Sequence, residues 1–197
     1  MNKPFSQSSE NNKQPILQVI ETIFRKPATV WEIGSGTGQH ACYFAQKLPH
    51  LQWQATDREE NLPGINRWIE DAKLDNLATS LALNVSDTQW PCQQIEAIFT
   101  ANTLHIMHWH EVEAFFSGLA KYLSARASVC IYGPFNYQRS YTSTSNEQFD
   151  KWLKARDPES GIRDFSEIEQ LANAAGVTIQ DDHAMPANNR LLVLLKN

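Results

Sequence analysis

Only three of the 197 residues are cysteines, and Cys42, Cys92 and Cys130 never form a CxxC pair. An odd, scattered set excludes a disulfide framework and a thiolate zinc site, so each is read as a small buried apolar residue. Long apolar runs are also missing. None approaches the roughly 20 residues that a membrane-spanning helix needs, so no membrane partner is expected. An excess of basic charge is absent too: 17 Lys+Arg stand against 22 Asp+Glu, a formal net charge of −5. Phosphate-backbone binding needs a clustered positive footprint, so no nucleic-acid partner is expected. The segment Met1–Lys13 is polar and lacks the apolar core of a secretory signal, which makes the cytoplasm the expected compartment.

What remains is ordinary globular composition, 42% hydrophobic and 20% charged. That excludes a disordered chain, a collagen and a coiled coil. A chain of this length forms one domain and buries about 70% of its unfolded surface. We expect a flexible tail or lid over residues 1–14 and a single domain over 15–197. Pro15 is expected to open a helix, with Ile16, Val19, Ile20 and Ile23 as its apolar stripe.

From Pro27 onward short apolar runs alternate with amphipathic stretches. Strands are predicted at 28–33, 51–56, 80–84, 97–101 and 127–132, and helices at 39–47, 63–73 and 110–123. Such alternation argues for an α/β fold with a parallel sheet covered on both faces. The last third differs. Residues 137–145 read as a long polar loop and a second lid candidate. Ser145 with Gln148, and Ser166 with Glu169, fit helix capping boxes, and Gly176 fits a left-handed helix end. Strands at 177–180 and 190–195 follow, joined by a long connection through Pro186. No feature fixes an oligomeric state.

The chemistry concentrates in Glu32-Ile33-Gly34-Ser35-Gly36-Thr37-Gly38-Gln39, between a predicted strand and helix. Glycines at spacing two allow positive φ and remove every Cβ between backbone and ligand. The following helix N-terminus adds unpaired N–H groups and partial positive charge, so the loop suits a carboxylate or phosphate. A dinucleotide fingerprint is GxGxxG, whereas here Gln39 holds the sixth position and Glu32 precedes the first glycine. That acid suits a ligand's cationic group better than a pyrophosphate. The second strand ends at Asp57, 19 residues beyond Gly38, where a carboxylate can accept from both ribose hydroxyls. The strand tips at Asn84-Val85 and at Ala101-Asn102 converge on the same crevice.

The pattern Glu-x-Gly-x-Gly-x-Gly after a first strand resembles motif I of the class I methyltransferases, which bind S-adenosylmethionine (SAM). Further strings resemble one methyltransferase-like family catalogued as a domain of unknown function, DUF938-type. They are Asn12-Lys13-Gln14-Pro15, Gly36-Thr37-Gly38-Gln39-His40, Asn102-Thr103-Leu104-His105, Tyr132-Gly133-Pro134-Phe135, Arg156-Asp157-Pro158, Gly161-Ile162-Arg163-Asp164 and Pro186-Ala187-Asn188-Asn189. The resemblance spans nearly the whole chain. It implies the Rossmann-like class I methyltransferase fold: a seven-stranded, mostly parallel sheet, helices on both faces and a C-terminal antiparallel hairpin. It also implies SAM as cofactor, with S-adenosylhomocysteine (SAH) as product.

On that resemblance Glu32, Gly34, Ser35, Gly36, Thr37 and Gly38 would hold the methionine end. Asp57 would hold the ribose, Asn84 and Val85 the adenine, with Ala101 beside them. Asn102, His105 and Tyr132 are the catalytic candidates, facing a small-molecule acceptor. Phe135, Arg163, Asp164, Asn188 and Asn189 are the substrate-pocket candidates. Two departures stand out: Asn84 where an acid is usual, and His108 where a Pro is common. The chain also lacks the [Asn/Asp]-Pro-Pro-[aromatic] string of adenine and glutamine-amide methyltransferases, which argues against those acceptors. His105, His108 and His110 do not share one helix face, and no metal site is expected. The alternatives are a non-catalytic SAM-binding module and a NAD(P)-dependent oxidoreductase, the latter disfavoured by Gln39 and Glu32.

Overall fold

The computed structural model describes residues 3–197; Met1 and Asn2 of the expected tail lie outside it. In chain order the elements are α1 (Gln7–Ile23), β1 (Thr29–Ile33), α2 (Gln39–Lys47), β2 (Gln52–Asp57), α3 (Leu62–Ala72), β3 (Leu77–Ala82) and β4 (Ile95–Ala101). Then come α4 (Trp109–Tyr122), β5 (Leu123–Gly133), β6 (Phe135–Asn136), α5 (Thr144–Arg156), β7 (Arg163–Asp164), α6 (Phe165–Ala174), β8 (Val177–Met185) and β9 (Asn189–Lys196).

Seven strands form one sheet in the order β3-β2-β1-β4-β5-β9-β8. The first five run parallel; β9 pairs antiparallel with β5 and with β8. This is the Rossmann-like methyltransferase architecture. Strand order reverses direction at β1, which pairs with both β2 and β4, so the crevice at the strands' carboxyl ends opens there.

Period-two alternation feeds two cores. Val30, Phe99, Cys130, Tyr132 and Val193 face Ile16 and Ile20 of α1, Phe44 of α2 and Ile65 of α3. Trp31, Ile98, Val129, Ile131 and Leu192 face Val112, Phe115 and Leu119 of α4 and Ile168 of α6. Both faces of β4 and β5 are therefore buried, as their near-continuous apolar sequences require. Among the described residues no helix is long and apolar enough to cross a membrane.

Three strands differ in extent from expectation, β3 starting at Leu77, β5 at Leu123 and β8 running to Met185, and so do three helix starts and one connection. Helix α1 begins at Gln7, not Pro15, because the Ser6 hydroxyl caps the Ser9 N–H and Glu10 sits in the first turn. Helix α5 starts after Ser143, which accepts from the Asn146 N–H, so the polar loop is shorter than expected. Helix α6 is capped by Asp164 rather than by Ser166. The β8–β9 connection is a tight turn, not a long one: Ala187 and Asn188 both take positive φ (56° and 57°). Successive left-handed residues match the twist of an antiparallel pair.

Candidate active site

A cavity of about 1180 Å³ opens at the carboxyl ends of β1, β2, β4 and β5. Its wall carries Gly34, Ser35, Gly36 and Thr37 after β1, and Asp57 at the end of β2. Asn84 and Val85 after β3, Ala101 at the end of β4, Asn102 and His105 after it, and Tyr132 in β5 complete that side.

The three glycines do different work. All have positive φ: 74° at Gly34, 59° at Gly36 and 86° at Gly38. A Cβ on Gly36 would meet no atom within 4 Å, since this position faces the open cavity. On Gly34 it would strike Thr103 Cγ2 at 2.7 Å, so that glycine lets the β1 and β4 loops touch. On Gly38 it would crowd the Ile65 backbone at 3.1 Å. Gly38 thus lets α2 start against α3, and it is absent from the cavity wall, unlike its two neighbours in the motif.

Asp57 closes the loop from the side. Its Oδ2 accepts the Gly36 N–H at 2.6 Å, and its Oδ1 accepts from the Arg58 N–H (2.7 Å) and the Asn61 side-chain amide (2.8 Å). The carboxylate is thereby aimed at the mouth of the glycine bend.

Glu32 does not reach the cavity wall. It is 1% exposed and shares the face of Val30, behind the loop, where its Oε2 accepts from Trp53 Nε1 at 2.7 Å. Burial lifts its pKa from the usual carboxylate range to about 8; the nearby Asp57 charge adds to the rise, and the Trp53 bond opposes it. Expected beside the ligand, the Glu32 carboxyl instead lies against Trp53 and off the cavity wall.

Asn102 sits at the β4 tip with φ of 57°, a conformation Asn tolerates better than most residues. Its N–H donates to the Tyr132 carbonyl at 2.8 Å. His105 is 5% exposed, and its ring packs edge-on against Phe149 at 5.3 Å. Burial lowers its pKa to about 4, helped by the Arg163 charge, which keeps the ring neutral at physiological pH. Burial raises the Tyr132 pKa, opposed by a hydrogen bond to Asn12. The same Asn12 side chain is 2.6 Å from His40 Nε2. His40 bonds the Ser9 backbone, and burial holds its pKa near 4.

Most of the substrate-pocket candidates lie elsewhere. Phe135 is in the core shared with α4 and α6. Arg163 spends its guanidinium on the carbonyls of Leu104, Met107 and Glu159. Asp164 accepts the Ser166 and Arg139 N–H groups as a helix cap. Asn188 occupies the β8–β9 turn, donating to Ser145 Oγ and accepting from Asn146. Only Asn189 of that set lines the cavity. Of the polar 137–145 stretch, only Ser145 does so; Tyr137 instead stacks on Phe165 and donates to Asp182.

Residues outside the candidate set fill their places, two of them within the 1–14 stretch expected as a tail or lid. Ser9 and Asn12 of α1 reach the cavity from one side. They are held there because the Ser6 N–H donates to Gln39 Oε1 at 2.5 Å and Trp68 Nε1 donates to the Pro4 carbonyl at 2.7 Å. Ser145, Phe149, Trp152 and Arg156 reach it from α5. Their spacing of four, three and four is one helix face, a signal present in the sequence. Arg58 pairs with Glu111, and His108 with Asp157 at 2.8 Å, along the same wall.

Solved methyltransferase structures share this fold at low identity. The mitomycin 7-O-methyltransferase MmcR superposes with a TM-score of 0.84 at 14% identity, over 96% of this chain and 54% of that one. An O-methyltransferase family protein from Burkholderia thailandensis gives 0.83 at 14%, over 96% and 57%. A family 2 O-methyltransferase from Planctomyces limnophilus, in complex with apigenin, gives 0.81 at 16%, over 96% and 60%. The chain thus spans a little over half the length of these proteins. A family model matches residues 3–196 and so nearly the entire sequence: the chain belongs to the family described as "Protein of unknown function (DUF938)".

Proposed function

We propose that the protein is a SAM-dependent methyltransferase acting on a small-molecule acceptor. The observation that carries this reading is the Asp57–Gly36 hydrogen bond. It sets a carboxylate beside an open glycine bend, in a cavity at the sheet's switch point. The donor set fits the cofactor. Gly36 leaves space that any Cβ would fill, and Asp57 is aimed to accept from ribose hydroxyls. Asn84, Val85 and Ala101 line the adjoining wall for an adenine ring. The shared fold of O-methyltransferases, one of them holding apigenin, supports a small-molecule acceptor.

Bound SAM supplies an electrophilic methyl group, so the chain needs no strong nucleophile of its own. Its residues position and dehydrate. Ser9, Asn12 and Asn189 narrow the cavity from two sides, which restricts water. Tyr132, fixed by Asn12, and Asn102, fixed by its backbone bond to Tyr132, orient the acceptor. His105, neutral, is able to take the acceptor's proton at a ring nitrogen.

Incubation with methyl-labelled SAM and a panel of phenols, carboxylic acids, amines and thiols tests the reading. Label in an organic product with matching SAH formation is expected. SAM binding without transfer across the panel marks the non-catalytic module instead, and NADH binding with no SAH binding marks the oxidoreductase.

A further inference from the structure

We infer that the acceptor half of the cavity takes a flat aromatic molecule bearing an anionic group, such as a carboxylate, at the end away from the reacting atom. This rests on the methyl-transfer reading and names the acceptor class.

One face of α5 forms this half. His105, Phe149, Trp152 and Arg156 make a continuous ladder from the β4 tip to the last turn of the helix. His105 meets Phe149 edge-on, Phe149 stacks on Trp152 at 5.8 Å and 17°, and the Arg156 guanidinium lies 4.6 Å from the Trp152 ring. Trp152 is 51% exposed despite its size, and it lines the cavity. An exposed tryptophan stacked on a second aromatic is a surface for a planar ligand. Aliphatic ligands gain less from such rings.

Charge fixes the orientation. Elsewhere on this wall Arg58 pairs with Glu111, and the His108 ring is hydrogen-bonded to Asp157. Among the described residues Arg156 has no carboxylate partner, only the Trp152 ring. A guanidinium on an aromatic face keeps its N–H edge free for a carboxylate. The carboxylates outside these pairs on the cavity wall, Asp57 and Glu60, belong to the end of β2 and the segment that follows it, on the glycine-loop side. Phe149 and Arg156 are seven residues apart, about 10 Å along a helix, which suits a molecule of one or two rings. The neutral His105 marks the reacting end.

Ligand-observed NMR in the presence of saturating SAH tests this, with 4-hydroxybenzoate and 4-hydroxycinnamate against the corresponding neutral amides. The acids should bind about tenfold more tightly than the amides. Arg156→Gln should abolish that preference while leaving SAH affinity intact, and Trp152→Ala should weaken acid and amide alike. If SAH binds but acids and amides bind equally, or an aliphatic acid competes as well as the aromatic ones, or none of the ring acids binds, the inference is overturned. If SAH itself fails to bind, the fault lies with the methyl-transfer reading.

Discussion

Asp57 and Gly36, 21 residues apart, are joined by a 2.6 Å hydrogen bond from the glycine N–H to the carboxylate. The bond ties the tip of β2 to the bend after β1 and leaves the glycine's missing side chain facing the cavity. One interaction thus shapes the loop and aims the acid.

The glycines should respond unequally to alanine. Gly36→Ala adds a left-handed non-glycine residue, costing about 1–2 kcal/mol, and sets a methyl in open space. Gly34→Ala adds the same strain plus a clash with Thr103 at 2.7 Å, for roughly 1–3 kcal/mol more. Chemical denaturation should rank Gly34→Ala well below Gly36→Ala in stability, while Gly36→Ala loses SAH affinity even where it is folded. Equal stability losses would contradict the division of labour.

Glu32 predicts an alkaline dependence of stability. Its folded pKa, raised by burial to about 8, exceeds the unfolded value, so the native state holds more protons between those values. Its contribution is complete below about pH 4.5 and is lost as pH rises towards 8. Glu32→Gln keeps an acceptor for Trp53 and cannot ionise. It should raise the Tm at pH 8 by a few degrees, at about 2–4 °C per kcal/mol, and flatten this limb. A melting curve at pH 8 that is unchanged by the substitution would refute the assignment.

His40 and His105 govern the acid side. Burial lowers both folded pKa values from 6.5 to about 4, so the native state binds fewer protons in that window. Their stabilisation is complete above pH 6.5 and is lost as pH falls to 4. His40→Gln should shrink the drop in Tm between pH 6.5 and 4.5. NMR titration should find both wild-type rings neutral at pH 6; a ring with a midpoint near 6.5 would be inconsistent with this.

Trp68→Phe removes the indole donor that holds the Pro4 carbonyl. Its global cost should be within about 1 kcal/mol. Hydrogen exchange over residues 7–12 should nevertheless accelerate several-fold relative to 16–23, because Ile16 and Ile20 keep their own core contacts. Uniform acceleration along α1, or none, would show that the helix start is not held this way.

The sheet and the glycine loop were legible because local signals dominate them: alternating apolar runs for the strands, and a Gly-x-Gly-x-Gly spacing that few turns share. Tertiary demand decided the rest. Pro15 reads as a helix start, yet the helix runs through it. The signals that start it at Gln7 are the Ser6 cap and contacts to Gln39 and Trp68, the latter two spanning 33 and 64 residues of sequence. Glu32 stands at the expected motif position, but strand alternation turns it behind the loop. Arg163 and Asp164 belong to family-like strings and prove to serve backbone carbonyls and a helix end. A string can mark a structural necessity as readily as a pocket. The α5 face was readable by its spacing, and weak helical amphipathicity hid it, since the face is lined with polar and aromatic residues together.

The central claim is that the glycine bend and Asp57 together form a cofactor site. Isothermal titration of SAH into wild type and Asp57→Ala, with circular dichroism to establish that both are folded, tests it most directly. The account predicts stoichiometric binding to wild type and at least about a tenfold loss in the variant, the cost of two charge-assisted hydrogen bonds. No heat of binding in folded wild type, or equal affinity in the folded variant, would contradict it.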